Sequence, residues 1–153
     1  MQDIAGCRLI LPDMVVQEEV IERLRRAFAK VVIIDRRQHP SHGYRAVHVI
    51  AASRQKVVEI QVRTALQHLW AELSEKLSDV IHQAIKYGGG EPRIHDLLMK
   101  LSVTIGDFED LEVNLGGVDS HKQLESMKHG LRNLLEYIIN RPEIIGGEDA
   151  IFD

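Results

Sequence analysis

This chain of 153 residues has a single cysteine, Cys7, which rules out an internal disulfide. The thiol sits in an apolar run, a setting that predicts a buried group in place of a nucleophile or metal ligand, and reducing intracellular surroundings follow as the default. No apolar run approaches the about 20 residues that a membrane helix needs. The start lacks the basic region and long apolar stretch of a signal peptide, so a cytoplasmic location and no membrane partner are expected. There is no His-Glu-x-x-His and no cysteine cluster, which argues against a zinc site. Internal repeats and low-complexity tracts are absent too. The formal net charge of -4 argues against a general nucleic-acid coat and leaves room only for a local basic patch.

What is present is the makeup of a soluble globular domain, with 44% hydrophobic and 27% charged residues. Cys7 to Leu11 reads as a strand, and Pro12-Asp13 supplies a helix start. Val16, Val20, Ile21, Leu24 and Phe28 then recur at helical spacing. Val31 to Ile34 predicts a short buried strand, and the polar segment Asp35 to Gly43 a loop. Strands from Tyr44 and from Val57 follow, joined by the short Ser53-Arg54-Gln55-Lys56 hairpin. Thr64 with Gln67 has capping-box spacing. Leu66, Leu69, Trp70, Leu73, Leu77, Val80, Ala84 and Ile85 mark one face of a long helix, ended by Gly88-Gly89-Gly90. Further helices are expected from about Pro92 to Ile105 and from His121 to Ile139, the last stopped by Pro142. The expected class is α+β, a mixed sheet flanked by helices with a C-terminal helical segment. Residues 1–87 form its core, and helices over 88–140 cover the sheet or mediate homo-oligomerisation. A flexible tail is expected over 141–153.

The chemistry gathers between His42 and Glu72. From Val57 to Arg63 the chain alternates, so Val58, Ile60 and Val62 share one strand face while Glu59, Gln61 and Arg63 share the other. On the preceding strand Tyr44, Ala46, His48 and Ile50 fall together, and Arg45 lies opposite with Val47 and Val49. Each residue alone has a bland reading: a solvated strand face, a sheet tyrosine, a structural histidine. The hairpin is what lets Tyr, His, Glu, Gln and Arg converge in one patch. Gly43 beside Tyr44 permits close approach of a ligand to the backbone. Arg36, Arg37 and Arg45 are phosphate candidates, since a guanidinium binds phosphate oxygens as a fork, with a solvated pair as the alternative for Arg36 and Arg37. His68, Glu72 and Glu75 make a polar stripe along the long helix, read as a solvated face from which His68 and Glu72 reach an acceptor.

Gly43-Tyr44-Arg45-Ala46-Val47-His48, then Glu59-Ile60-Gln61-Val62-Arg63-Thr64, then His68-Leu69-Trp70-Ala71-Glu72 resemble the synthetase domain of the RelA/SpoT homologues. The opening Asp3-Ile4-Ala5-Gly6-Cys7-Arg8 is similar to that family's Asp-x-x-Gly-x-Arg strand. Four motifs in order make a specific match. The resemblance implies a nucleotidyltransferase-like fold and alarmone synthesis, the magnesium-dependent transfer of pyrophosphate from ATP to the 3′-hydroxyl of GDP or GTP. It assigns Asp3 and Glu59 to Mg2+, with Glu59 also the catalytic carboxylate, and makes Tyr44 the platform for the acceptor base. His48, Gln61, Arg63 and His68 then contact the acceptor, and Arg8 joins the phosphate candidates.

The family carries ATP-binding Arg, Lys and Ser residues upstream of the Asp-x-x-Gly-x-Arg strand, and this chain opens two residues before Asp3. The ATP half of the site is therefore expected to be missing from these 153 residues. His42, Ala46 and Glu75 also depart from the family's usual Asn, Ser and His. The Pro40-Ser41-His42-Gly43-Tyr44 version resembles a branch whose toxin members act on the 3′ end of tRNA. Two alternatives stand beside alarmone synthesis: a tRNA pyrophosphotransferase, and a non-catalytic guanine-nucleotide-binding module.

Overall fold

The structure, a computed structural model, describes residues 5–54, 56–115 and 117–146. The architecture is α+β: strands β1 (Ala5–Leu11), β2 (Lys30–Asp35), β3 (Val47–Ser53) and β4 (Lys56–Thr64), with helices α1 (Met14–Ala27), α2 (Ala65–Val80), α3 (Pro92–Asn114), α4 (Val118–Asn140) and α5 (Glu143–Gly146). No described helix is long and apolar enough to cross a membrane. The chain divides into two compact units, residues 1–68 and 69–153.

The first unit is a four-stranded sheet in the order β1-β4-β3-β2. β1 runs parallel to β4, while β4 with β3 and β3 with β2 are antiparallel, so the sheet is mixed, as the sequence implies. Helix α1 carries the chain from one edge strand to the other. Asp13 caps it by accepting from the Val16 amide at 2.8 Å, and Arg25 and Arg26 in its last turn suit the helix dipole. Its apolar stripe buries against one sheet face. Ile21, Val47, Val49, Ile60 and Val62 are the buried centre of that core, with Val20, Leu24 and Phe28 packed around it. Burying each such aliphatic side chain contributes about 1.5–3 kcal/mol. The alternation that hides Val58, Ile60 and Val62 turns Glu59, Gln61 and Arg63 to the opposite face.

The Thr64 and Gln67 capping box forms as its spacing requires. The Gln67 amide donates to Thr64 Oγ1 at 3.1 Å, and the Thr64 amide donates to Gln67 Oε1 at 3.2 Å. The same Oε1 accepts from Gln17 Nε2 at 3.0 Å, and that Gln17 nitrogen also donates to the Val62 carbonyl at 3.0 Å. Gln17 and Gln67 are both buried. Gln67→Ala therefore removes a cap and leaves a buried Gln17 amide under-satisfied. We expect a loss of about 2–4 kcal/mol in urea unfolding, the sum of a cap and an orphaned buried polar group. A change near zero would mean that water replaces the amide.

In the second unit Leu73 and Leu77 on α2, Ile94, Leu98, Ile105 and Phe108 on α3 and Leu135 on α4 are buried. The Trp70 indole nitrogen donates to the Leu98 carbonyl at 2.8 Å, which satisfies the one polar atom of that ring. Lys128 pairs with Glu112.

Several expectations need correction. Cys7 is exposed, not buried, because β1 is an edge strand. The run Val31–Ile34 is likewise an edge, with Val32 59% exposed, since only one of its faces meets α1. The strand after the loop begins at Val47, not Tyr44, because Tyr44 closes a turn. Helix α2 stops at Val80, itself exposed, and a single 3-10 turn at Ile85–Tyr87 precedes the glycines. Helix α3 continues to Asn114, nine residues beyond the expected Ile105 (114 against 105). Within the expected tail residues 143–146 are helical, and residues 147–153 lie outside the described residues.

Candidate functional site

The register sets the polar row. His48 lies opposite Gln61 and Ile50 opposite Glu59 across β3 and β4, while Arg8 on β1 is aligned with Gln61. Aligned neighbours point to the same side of a sheet. Arg8, His48, Glu59, Gln61 and Arg63 thus share the face turned away from α1.

Contacts within that row are tight. His48 Nδ1 and Glu59 Oε1 are 2.6 Å apart, with side chains 18% and 34% exposed. One carboxylate oxygen, Oε1, is thereby tied to the imidazole. Arg63 is nearly fully buried. One of its terminal nitrogens, Nη2, donates to the Tyr44 hydroxyl and to Gln61 Oε1, each at 3.0 Å. Its guanidinium stands 5.2 Å from the centre of the Tyr44 ring. Its Nε is buried with no hydrogen-bond partner among the described residues. Among the described residues, the hydrogen-bond acceptors of this buried guanidinium are a hydroxyl and an amide, and no carboxylate is paired with it.

Tyr44 reaches this row from a tight turn. The Tyr44 amide donates to the Ser41 carbonyl at 2.9 Å and the Ser41 amide to the Tyr44 carbonyl at 3.3 Å. The central residues His42 and Gly43 have φ of 52 and 86 degrees. Positive φ at both central positions marks the turn type that suits a tight two-residue reversal, and glycine takes the second without strain. The turn brings the Tyr44 ring to 5.7 Å from the His48 ring. Tyr44, His48, Glu59, Gln61 and Arg63 are therefore one cluster, all within the first unit.

Arg8 stands on this face aligned with Gln61, and the other described candidates sit on the loop or on α2. Arg8 and Arg36 are exposed and Arg45 half-buried. His68 is half-buried in the first turn of α2. Glu72 and Glu75 lie further along α2 in the second unit, where with Lys76, Asp79, Ile139 and Asn140 they line a cleft of about 350 Å³. Asp3 lies outside the described residues.

Arg37 is engaged internally. Its Nε and Nη2 donate to Asp35 at 3.0 and 2.6 Å, and its Nη1 to Glu18 at 2.9 Å. Burial pushes the Asp35 carboxyl up, but the hydrogen bonds and charge of Arg37 outweigh it and hold the group below its ordinary value. A carboxyl depressed in the folded state stabilises the fold above its unfolded pKa, and loses that contribution as pH falls through the folded value. Asp35→Asn should therefore lower the melting temperature at neutral pH, with the gap to the parent closing as pH falls below the carboxylate range. A gap independent of pH would contradict the ion pair.

Sequence reading missed Gln17 and the acidic partners of Arg37. The signals were there: a glutamine within the apolar stripe of α1, four residues before Ile21, and an Asp-x-Arg spacing at the end of β2.

The chain is similar to known proteins over part of its length. A model described as the region found in RelA / SpoT proteins matches residues 1–83, more than half of the 153. An uncharacterised protein of Mycobacterium tuberculosis is 44% identical over 93 residues, 57% of this chain and 33% of that protein. The GTP pyrophosphokinase YjbM of Bacillus subtilis is 29% identical over 104 residues, 60% of this chain and 46% of YjbM. The chain thus spans a third to a half of these relatives' own length. The crystal structure of small alarmone synthetase 1 from Bacillus subtilis bound to its product pppGpp shares the fold, with a TM-score of 0.52 and 24% identity over 74% of this chain and 61% of that one. With its motif order, its mixed sheet and a family match over more than half its length, the chain belongs to the RelA/SpoT family.

Proposed function

We propose that the chain carries the acceptor side of an alarmone synthetase, which transfers pyrophosphate from ATP to the 3′-hydroxyl of GDP or GTP. The observation that carries this reading is the Tyr44, His48, Glu59, Gln61 and Arg63 cluster, in which an aromatic ring, a carboxylate and a buried guanidinium paired with no carboxylate among the described residues meet on one sheet face. Family membership and the pppGpp-bound structural relative support it.

In the proposed reaction the 3′-hydroxyl oxygen bonds to the β-phosphorus of ATP. The bond from that phosphorus to the oxygen bridging it to the α-phosphate breaks, and AMP leaves with the electron pair. Such transfer depends mainly on positioning and charge neutralisation. Tyr44 stacks the acceptor base, Gln61 hydrogen-bonds the acceptor, and Arg63 attracts its phosphates. His48 orients Glu59, whose carboxylate takes up the hydroxyl proton. A half-exposed carboxylate is also the hard oxygen donor that magnesium accepts, and magnesium uses only one or two from protein. Glu59 together with Asp3 would hold the ion, which supplies charge neutralisation on the phosphates.

The test follows label from γ-phosphate-labelled ATP, with magnesium, into GDP, GTP or tRNA, using this chain and one extended upstream. Label in a guanine nucleotide is the expected result. Label in tRNA alone would replace the acceptor. No transfer by either chain would refute the enzyme, and calorimetry with GDP would then decide for or against a binding module.

A further inference from the structure

We propose that Arg37 is a positioning residue for the acceptor loop and not a phosphate ligand. With Gln17, Glu18 and Asp35 it forms a strut that fixes the segment from Arg36 to Ala46, and so the Tyr44 ring, against the end of the sheet. The inference rests on the acceptor reading given above.

Three observations carry it. First, the guanidinium is spent: Asp35 takes Nε and Nη2, Glu18 takes Nη1 at 2.9 Å, and the Arg37 side chain is only 12% exposed. Two carboxylates already neutralise this cation, which weakens its drive to take a phosphate. Arg63 is the opposite case, buried and facing a hydroxyl and an amide.

Second, the same residue grips both ends of the loop. The Arg37 amide donates to Asp35 Oδ1 at 2.9 Å, and the Arg37 carbonyl accepts from Arg45 Nη1 at 2.6 Å, one residue from Tyr44. The Arg36 amide donates to the Ala46 carbonyl at 3.0 Å, closing the loop at its root.

Third, the strut reaches the sheet. Arg37 Nη1 lies 3.4 Å from Gln17 Oε1, and Gln17 Nε2 donates to the Val62 carbonyl, next in the chain to Arg63. A chain of contacts therefore runs from the loop that bears Tyr44 to the strand that bears Arg63. A loop so held loses less freedom when a base stacks on it, which raises affinity without a new contact.

The experiment measures GMP, GDP and GTP binding to the full chain by calorimetry for the parent, Arg37→Gln and Arg37→Lys, with hydrogen exchange at the Arg36 and Tyr44 amides read in parallel. A strut predicts the same loss for all three nucleotides, about tenfold for the charge-assisted bonds removed. It also predicts faster exchange at both amides, and no rescue by lysine, whose single ammonium cannot span both carboxylates. A loss that grows with the number of phosphates, or recovery in Arg37→Lys, would make Arg37 a phosphate ligand and overturn the proposal. Should Arg37→Gln fail to fold, Glu18→Gln, at an exposed end of the strut, is read in the same way. If the parent binds none of the nucleotides, the acceptor reading fails by itself. The exchange arm still judges the strut, and unchanged exchange at both amides rejects it.

Discussion

Glu59→Gln, in whichever form of the protein transfers label, is expected to lower the transfer rate about a hundred- to ten-thousand-fold, the range for a positioned proton-transfer group. Glutamine keeps the shape of the side chain and can still meet His48 Nδ1, which lies 2.6 Å from the carboxylate in the parent. What it removes is the charge, and both a hard metal ligand and a proton acceptor depend on that charge. The two roles fall together in this variant, so the size of the loss tests the carboxylate as a whole. Initial rates at saturating acceptor are the measurement, with an unfolding curve to show that the sheet persists. A rate equal to the parent's would take Glu59 out of the chemistry.

The second large effect is at Tyr44. Tyr44→Ala should weaken guanine-nucleotide binding by about 1–3 kcal/mol, the value of one base on one aromatic ring, or roughly five- to 150-fold in Kd. The ring also accepts the Arg63 guanidinium at 5.2 Å, and its hydroxyl accepts from Arg63 at 3.0 Å. Removing the side chain leaves the buried arginine with fewer partners, which should cost a further about 1–3 kcal/mol of fold stability. Tyr44→Phe separates the two effects: it keeps the stacking surface and loses only the hydroxyl. Near-parental affinity in Tyr44→Phe beside a large loss in Tyr44→Ala is expected from calorimetry. Equal affinity in Tyr44→Ala would remove the stacking role.

What was legible in the sequence was whatever repeats with a period or sits at a fixed offset. The alternation in β4 identified both its faces, because a strand has only two. The Thr64 and Gln67 offset identified the start of α2, because the cap is made by those two residues alone. Strand position within the sheet was not legible, since β-branched residues suit an edge as well as a centre. Val31–Ile34 and the Cys7 segment were accordingly expected to be more buried than they are. Nor could adjacency in the chain separate the two loop arginines. Arg37 is claimed by Glu18, which comes from a helix 19 positions earlier, while Arg36 stays exposed. The cluster around Tyr44 was legible because a short hairpin imposes it, although Tyr44 arrives by a turn in place of a strand.

One oxygen has a part in how the first unit assembles. Gln67 Oε1 accepts both from the Thr64 amide, which starts α2, and from Gln17, which belongs to α1. Beginning the second helix and seating the first are thereby parts of one event, because each places the acceptor that the other uses. On folding, protection of the first α2 amides should rise in step with docking of α1, and neither helix would gain its full stability in a fragment that lacks the other.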